Sequence, residues 1–340
     1  MIFFILSVLG VAFILYILLA GADFGAGILQ LFKGQRKILE QEKLIGKAMG
    51  PVWEANHIWL ILIVVILFVG FPRVYTQLST FLHIPLSFFL VGIVARGCAF
   101  TFKHYDAIQD RSQKVYSWIF STSSLWTSFW FGMIAGSLIL GDFRPISTES
   151  HFLDVYVFPW LNVFCLSLGI FTCALFCMLA STFLIAEAQE AEVKKIFAKR
   201  YKISLLVAIV IGGFIFMQGF IYQIKSLIFF FTLPTSLLFF ILGTLSLALT
   251  YFFLTHHKYS WLKYMSVIQV SFIFGGWVNA QFPYLYQHRN MGDMKLNILQ
   301  AAAPDPTLKA LMIGLIIGLI LIIPPYIYLM YVFKKEAIQK

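Results

Sequence analysis

The chain has 340 residues, of which 60% are apolar and only 12% are charged, against about 45 to 50% and about 25% in an ordinary soluble domain. This composition excludes a soluble enzyme. The 25 basic and 15 acidic residues give a net charge of +10, which in a soluble protein would suggest anionic partners such as nucleic acid.

Nine apolar runs are each long enough to cross the hydrocarbon layer as a helix. They predict an all-α fold, a polytopic transmembrane helical bundle that forms a single integral membrane domain over residues 1–340. A β-barrel would instead show alternating segments of about ten residues, which this sequence lacks. The predicted helices cover residues 2–32, 51–71, 79–102, 115–140, 155–186, 203–222, 227–254, 264–283 and 310–333.

The first and fifth runs are longer than a span requires, so we expect each to tilt or break. In the first run the break is expected within residues 21–27, where three glycines would also allow helices to approach closely. The start of the chain has no basic residues and no cleavage site before or within its apolar run, which predicts a retained span rather than a signal peptide.

The loops on the two sides of the membrane differ strongly in their number of basic residues. One set carries 18 of the 25 and the other carries 6, with Arg96 left inside a span. By the positive-inside rule, this asymmetry predicts an N-terminus outside and a C-terminus in the cytoplasm. The net charge is therefore a signal of topology, and we expect no nucleic-acid partner.

Three charged residues fall within the predicted spans: Asp23, Glu54 and Arg96. Charged groups in hydrocarbon are costly, which makes these residues the leading functional candidates. Counted along their helices at about 1.5 Å per residue, all three lie in the cytoplasmic half of the membrane.

The second predicted helix opens with the residues Pro51 to Trp59. Proline suits a first helical turn and the carboxylate of Glu54 would complement the helix dipole there. Glu54 and His57 share one face, which suggests a proton relay together with Asp23. An ion pair of Arg96 with Asp23 or Glu54 explains the same charges equally well, and the two interpretations are compatible. The other notable residues of this motif are Trp53, Asn56 and Trp59.

The histidines argue against a haem held by this chain alone. Within the spans only His57 and His83 occur, toward opposite sides of the membrane, so they cannot face each other across one haem. The four cysteines form no CxxC pair and predict neither a disulfide framework nor a metal site. We expect no catalytic residue, metal or ligated cofactor in this chain.

The motifs of the first two helices resemble subunit II of the bd-type quinol oxidases. The most specific element is the pattern Trp-acid-x-Asn-x-x-Trp in the second helix. The resemblance spans the chain and rests on Gly21–Leu29, Gly50–Leu60, Arg96, Phe282-Pro283, Leu296–Ala310 and Pro324-Pro325-Tyr326.

This resemblance implies a terminal oxidase of the bacterial cytoplasmic membrane, which oxidises quinol and reduces dioxygen to water in aerobic respiration. Two b-type haems (haem b) and haem d then belong to a larger partner, subunit I. Further implied partners are a small single-helix subunit, lipid, quinol and a bound quinone. Asp23 and Glu54 match family positions proposed to conduct cytoplasmic protons, although this chain has Ala20 where many relatives have a further acid, and Glu54 where many have Asp.

Two other classes of protein fit the residues. A secondary transporter would use Asp23, Glu54 and Arg96 as a substrate site near helix breaks. A purely structural subunit would use the same charges only to fix helix packing.

Overall fold

The computed structural model describes residues 1–32, 37–105, 112–144, 146, 151–287 and 295–339. This part of the chain is almost entirely α-helical, with one short antiparallel hairpin. The elements are α1 (Ile2–Leu31), α2 (Ile38–Gly70), α3 (Pro72–Phe81), α4 (His83–Tyr105), α5 (Ser112–Leu140), α6 (Phe152–Tyr156), α7 (Val163–Glu187), α8 (Ala191–Ile221), α9 (Lys225–Thr232), α10 (Pro234–Thr255), α11 (Tyr259–Gln281), β1 (Tyr284–Gln287), β2 (Lys295–Asn297) and α12 (Asp305–Gln339).

The predicted all-α membrane fold is confirmed. Each of the nine predicted segments contains most of one long helix, although three of them are interrupted, and apolar side chains such as Ile61, Leu90 and Ile320 lie exposed on the outer faces. By length and composition, seven helices of the described chain could cross a membrane, or eight if the bent pair of α2 and α3 is one span. The count of nine spans and the orientation of the termini stay predictions.

The expected break in the first helix is wrong, because α1 continues without interruption through residues 21–27. Its glycines serve close packing instead. A Cβ at Gly25 would collide with the backbone carbonyl of Phe176 on α7, and one at Gly27 would collide with the hydroxyl of Ser124 on α5. Inside a membrane an unbroken helix also keeps every backbone group hydrogen-bonded, which favours packing over a break.

Several helices begin before the predicted boundary. α2 starts at Ile38, so Pro51 lies in its interior and Glu54 is not in its first turn. α8 starts at Ala191 and α11 at Tyr259. The residues before each apolar run are mostly good helix formers, and helices continue into polar sequence wherever propensity allows. Hydrophobicity alone marks only the part of a helix that is apolar.

Three predicted segments are interrupted. The third is divided near its start, because α3 ends at Phe81 and α4 begins at His83. The chain also bends by 112° between α2 and α3. The fifth breaks as expected, after α6, and α7 then starts with Asn162, whose side chain accepts a hydrogen bond from the amide of Cys165 at 2.9 Å. The seventh divides at Leu233, and Pro234 begins α10, the position where proline fits a helix best.

The helices pack in two groups that meet at α7. In the first bundle, α1 lies against α2, α5 and α7, and α4 lies against α5. In the second bundle, α8 packs on α7, and α10 packs on α11. We call α1, α2, α4, α5 and α7 the first bundle and α8 to α11 the second bundle.

Ion pairs at one end of the molecule join the ends of several helices. Lys37, just before α2, bridges Glu190 before α8 at 3.0 Å, and Lys263 of α11 bridges Glu187 of α7 at 3.7 Å. We call this the basic end, because it belongs to the set of loops with 18 basic residues. The opposite end carries the hairpin, where the hydroxyl of Tyr286 donates to Gln77 at 2.5 Å.

Candidate functional site: a buried ion pair in the first bundle

Asp23 of α1 and Arg96 of α4 form a salt bridge inside the first bundle. Nη2 of Arg96 lies 2.5 Å from Oδ1 of Asp23. The side chain of Arg96 is 2% exposed and that of Asp23 is 0% exposed. The same Nη2 also donates to the backbone carbonyl of Asp23 at 3.2 Å. The pair is a charge-assisted contact between two fully desolvated groups, the setting in which such contacts are shortest.

A serine and two aromatic rings complete the surroundings of Arg96. Nε donates to the hydroxyl of Ser124 on α5 at 2.9 Å. The guanidinium lies 4.5 Å from the ring centre of Phe120 and 5.0 Å from that of Phe24. Cation–π contact of this kind stabilises a buried guanidinium without adding charge. Three helices thus hold one side chain.

Small residues make this meeting of helices possible. Gly27 lies directly against Ser124, and Gly25 against Phe176. Any larger side chain at these positions would push α1 away from α5 or α7 and lengthen the contacts of the ion pair. The glycine-rich stretch around Asp23 is therefore part of the site, through packing rather than through chemistry.

The second carboxylate oxygen of Asp23 is left without a partner. Oδ2 is buried and finds no hydrogen-bond donor among the described residues. A buried acceptor without a donor is costly, and a carboxylate that is bonded on one side only can still exchange a proton on the other. The arrangement is thus an ion pair in which one carboxylate oxygen has no donor among the described residues.

His57 of α2 lies close to the pair. It is half-buried and near enough for the charges of Asp23 and Arg96 to act on it. It lines a groove of about 400 Å³ between α2 and α4, together with Ile93, Gly97 and Thr101. A titratable side chain in the range of the charged pair therefore also lines a surface groove.

The rest of the helix 2 motif is only partly described. Glu54 and Trp53 belong to α2, but their side chains lie outside the described residues. Asn56 is 1% exposed and Trp59 is 6% exposed, and they share the inner face of the helix. The ring of Trp59 meets that of Tyr326 on α12 edge-on, with centroids 5.9 Å apart. These two residues connect α2 to the bundle and to α12.

Of the predicted site residues, the structure brings together Asp23, Arg96 and His57. It also adds two that sequence reasoning missed, Ser124 and Phe120. A signal for the first existed: residues 121–128 contain six serines and threonines, and all except Thr122 are buried. The face of α5 on which they lie could not be assigned to Asp23 without the packing of the helices.

The described chain offers no evident metal centre. No group of three or more His, Cys, Asp or Glu side chains that could hold a metal occurs among the described residues. His83 starts α4, 13 residues from Arg96, which places it about 20 Å away along the helix. There its Nδ1 donates a hydrogen bond to the backbone carbonyl of Thr80 at 2.9 Å.

The fold and the site define a multi-pass membrane protein with a charged pair at the centre of one helical bundle. Comparison with known proteins identifies the family: the profile of cytochrome bd terminal oxidase subunit II matches residues 1–333. The chain belongs to this family, as its motifs predict.

Individual relatives agree with this assignment. Cytochrome bd ubiquinol oxidase subunit 2 of Bacillus subtilis (strain 168) is 26% identical over 332 residues, which cover 97% of this chain and 95% of the relative. Cytochrome bd-I ubiquinol oxidase subunit 2 of Escherichia coli (strain K12) is 23% identical over 178 residues, 52% of this chain and 46% of the relative. A chain in the structure of bd oxidase from Geobacillus thermodenitrificans shares the fold, with a TM-score of 0.77, 20% identity and 97% coverage of both chains.

Proposed function

We propose that this chain is the accessory subunit of a bd-type quinol oxidase in the bacterial cytoplasmic membrane. In this role it supports a haem-bearing subunit I, which oxidises quinol and reduces dioxygen to water. The membership of the family carries this part of the proposal. The chain alone would not be catalytic, and we expect it to form one membrane domain with the basic end in the cytoplasm.

His57 and His83, the histidines within the predicted spans, do not fit a haem held by this chain. In the described residues His57 is half-buried near the basic end, whereas His83 lies about 20 Å further along the bundle, counted from Arg96 at the rise of a helix. A haem with two axial histidines needs ligands that face each other. The proposal therefore assigns the haem b groups and haem d to the partner, with no step through a cofactor in this chain.

The second part of the proposal concerns protons. Reduction of dioxygen to water consumes them, and a polar route through a membrane must be built from the few ionisable side chains in it. We infer that protons enter at the basic end near Glu54, pass His57 and reach Asp23. The observation that carries this inference is the unbonded Oδ2 of Asp23, because a carboxylate used only for pairing with Arg96 has no need of a free oxygen.

The ion pair does not exclude transport. Arg96 stabilises the ionised form of Asp23 electrostatically, and the contact with Ser124 holds the guanidinium in place. A proton that arrives at Oδ2 neutralises the carboxylate while Oδ1 stays next to Arg96. When the carboxyl passes this proton on to the next acceptor, Arg96 balances the anion that is left.

Replacement of Asp23 by Asn in the assembled complex tests this role. The amide oxygen of Asn can still accept from Arg96, but the side chain cannot carry a proton. We expect quinol-driven oxygen consumption to fall by about tenfold or more, with the haem absorption spectrum unchanged. The control is Asp154→Asn, because Asp154 forms an exposed bridge with Arg144 at 3.2 Å. Unchanged turnover in Asp23→Asn would remove the proton role.

A further inference from the structure

Tyr16 has a buried hydroxyl group whose presence is not explained by packing alone. It lies in α1, is 2% exposed, and its ring packs against Phe131 of α5 with centroids 6.0 Å apart. Its hydroxyl finds no hydrogen-bond partner among the described residues. A phenylalanine would fill the same space without burying an unpaired polar atom, so the hydroxyl calls for an explanation.

Tyr16 and Asp23 stand on one face of α1. They are seven residues apart, which is two helical turns or about 10 Å along the axis. Ala20 lies between them on that face and is 1% exposed, so a small side chain separates two polar ones. The charges of Arg96 and Asp23 both act on the Tyr16 hydroxyl. The two unbonded oxygens, the Tyr16 hydroxyl and Oδ2 of Asp23, thus occur in the same part of the core.

The facing helix is polar over the same stretch. On α5, Ser124 and Ser128 are both 0% exposed and one turn apart. Their hydroxyls donate to the carbonyls of Phe120 and Ser124, at 2.6 and 2.8 Å, which leaves lone pairs on both oxygens as acceptors. Phe131, which packs on Tyr16, is the next residue of this face after Ser128. Polar groups therefore continue from the ion pair to the level of Tyr16.

We propose that the Tyr16 hydroxyl is the next proton-path residue after Asp23, leading away from the basic end. The inference rests on the proposed role of Asp23. Water bridges the two groups, since a rise of about 10 Å exceeds one hydrogen bond. The Asp23 carboxyl gives its proton to the first of a short chain of waters, the last of these waters passes a proton to the Tyr16 oxygen, and the phenol releases its own proton to the next water or partner-subunit acceptor. No electron moves, and the phenol ends as it began.

The test compares Tyr16→Phe with Tyr201→Phe in the purified complex. Both variants remove a buried phenol hydroxyl, and Tyr201 lies in α8 of the second bundle and is 1% exposed. We expect Tyr16→Phe to slow quinol-driven oxygen consumption by about fivefold, the effect of one lost hydrogen bond in the transfer step. The ratio of turnover in H2O to that in D2O should rise in Tyr16→Phe only. A loss of packing would not change this ratio.

The double variant Asp23→Asn with Tyr16→Phe shows whether the two residues act on the same proton path. Two residues on one path are coupled, so the double variant should be no slower than Asp23→Asn alone. If Asp23→Asn is slow while Tyr16→Phe matches Tyr201→Phe, the role of Tyr16 is overturned and that of Asp23 stands. If the turnover of the double variant falls by the product of the two single losses, the role of Tyr16 is likewise overturned. Full turnover in Asp23→Asn would overturn both roles together.

Discussion

The two bundles solve the same packing problem with different interior chemistry. Among the described residues, the only buried ionised side chains, Asp23 and Arg96, lie in the first bundle. The second bundle also buries polar residues, but there the hydroxyls of Ser246 and Thr250 bond to carbonyls of their own helix, each at 2.7 Å. Helices of this composition can therefore pack without a buried charge. Under the proposed function, the ion pair of the first bundle serves proton uptake rather than only helix packing.

Of the substitutions that compare the two bundles, loss of Arg96 should lower stability most. Arg96→Leu leaves the Asp23 carboxylate buried without a counter-charge, which costs about 3 to 5 kcal/mol. We expect the yield of coloured complex and its melting temperature, followed by haem absorbance, to fall sharply.

The matched control for Arg96→Leu breaks an exposed ion pair. Lys263→Leu removes the bridge to Glu187, whose side chain is 50% exposed, and should cost about 1 kcal/mol or less. Equal stability of the two variants would show that the buried pair is no more important than a surface bridge.

The close packing of α1 against α7 is the next feature that distinguishes the first bundle from the second. Gly25→Ala places a Cβ against the carbonyl of Phe176, and such overpacking costs about 1 to 3 kcal/mol. Gly213→Ala in α8 is the control, because a Cβ there meets nothing within 4 Å. This control should be neutral or stabilise the helix by about 0.5 to 1 kcal/mol. Melting temperatures of the two complexes distinguish the cases, and a stable Gly25→Ala complex would contradict the packing role.

Serine contributes differently in the two bundles. Ser124→Ala removes the acceptor of Arg96 Nε and leaves a charged donor unsatisfied, at a cost of about 1 to 3 kcal/mol. Ser246→Ala removes only a bond to its own helix and should stay within about 0.5 kcal/mol. Thermal unfolding of both variants checks this, and equal losses would show that the Ser124 contact is dispensable.

The smallest expected effect is on the pH dependence of stability, through Tyr286 in the hairpin. Burial raises the pKa of Tyr286 to about 12, whereas the unfolded value is about 10. The hydroxyl therefore stabilises the fold below pH 10, and its contribution is lost as the pH rises through the folded pKa. Tyr286→Phe should make stability flatter above pH 10. A stability profile identical to that of the native chain would contradict this coupling.

Much of the fold follows from the sequence because hydrophobicity fixes where helices cross a membrane. The charged residues Asp23 and Arg96 also stand out in sequence, since charge in hydrocarbon is rare. Helix limits were less accessible: α2 extends back to Ile38 through Pro51, because its first turns are polar yet helix-forming. The glycines of α1 suggest both a break and close packing, and only the position of Phe176 decides between them.

The partners of the pair depend on tertiary structure. Ser124 and Tyr16 are ordinary residues in sequence, and each gains its significance from the helix that faces it. Which face of α5 meets Asp23 is decided by the packing of α1, α4 and α5 together. Residues of this kind are found only from the three-dimensional packing, whereas Asp23 and Arg96 are found from their charge within apolar runs.

Removal of both charges tests the central claim most directly. Asp23→Leu with Arg96→Leu replaces a buried ion pair by apolar side chains, an exchange that is often neutral or stabilising. If the pair serves proton uptake, the double variant should assemble with its partner and show the native haem spectrum, yet consume oxygen about tenfold or more slowly. If the complex assembles and turns over at the native rate, the pair is only structural and the account is wrong.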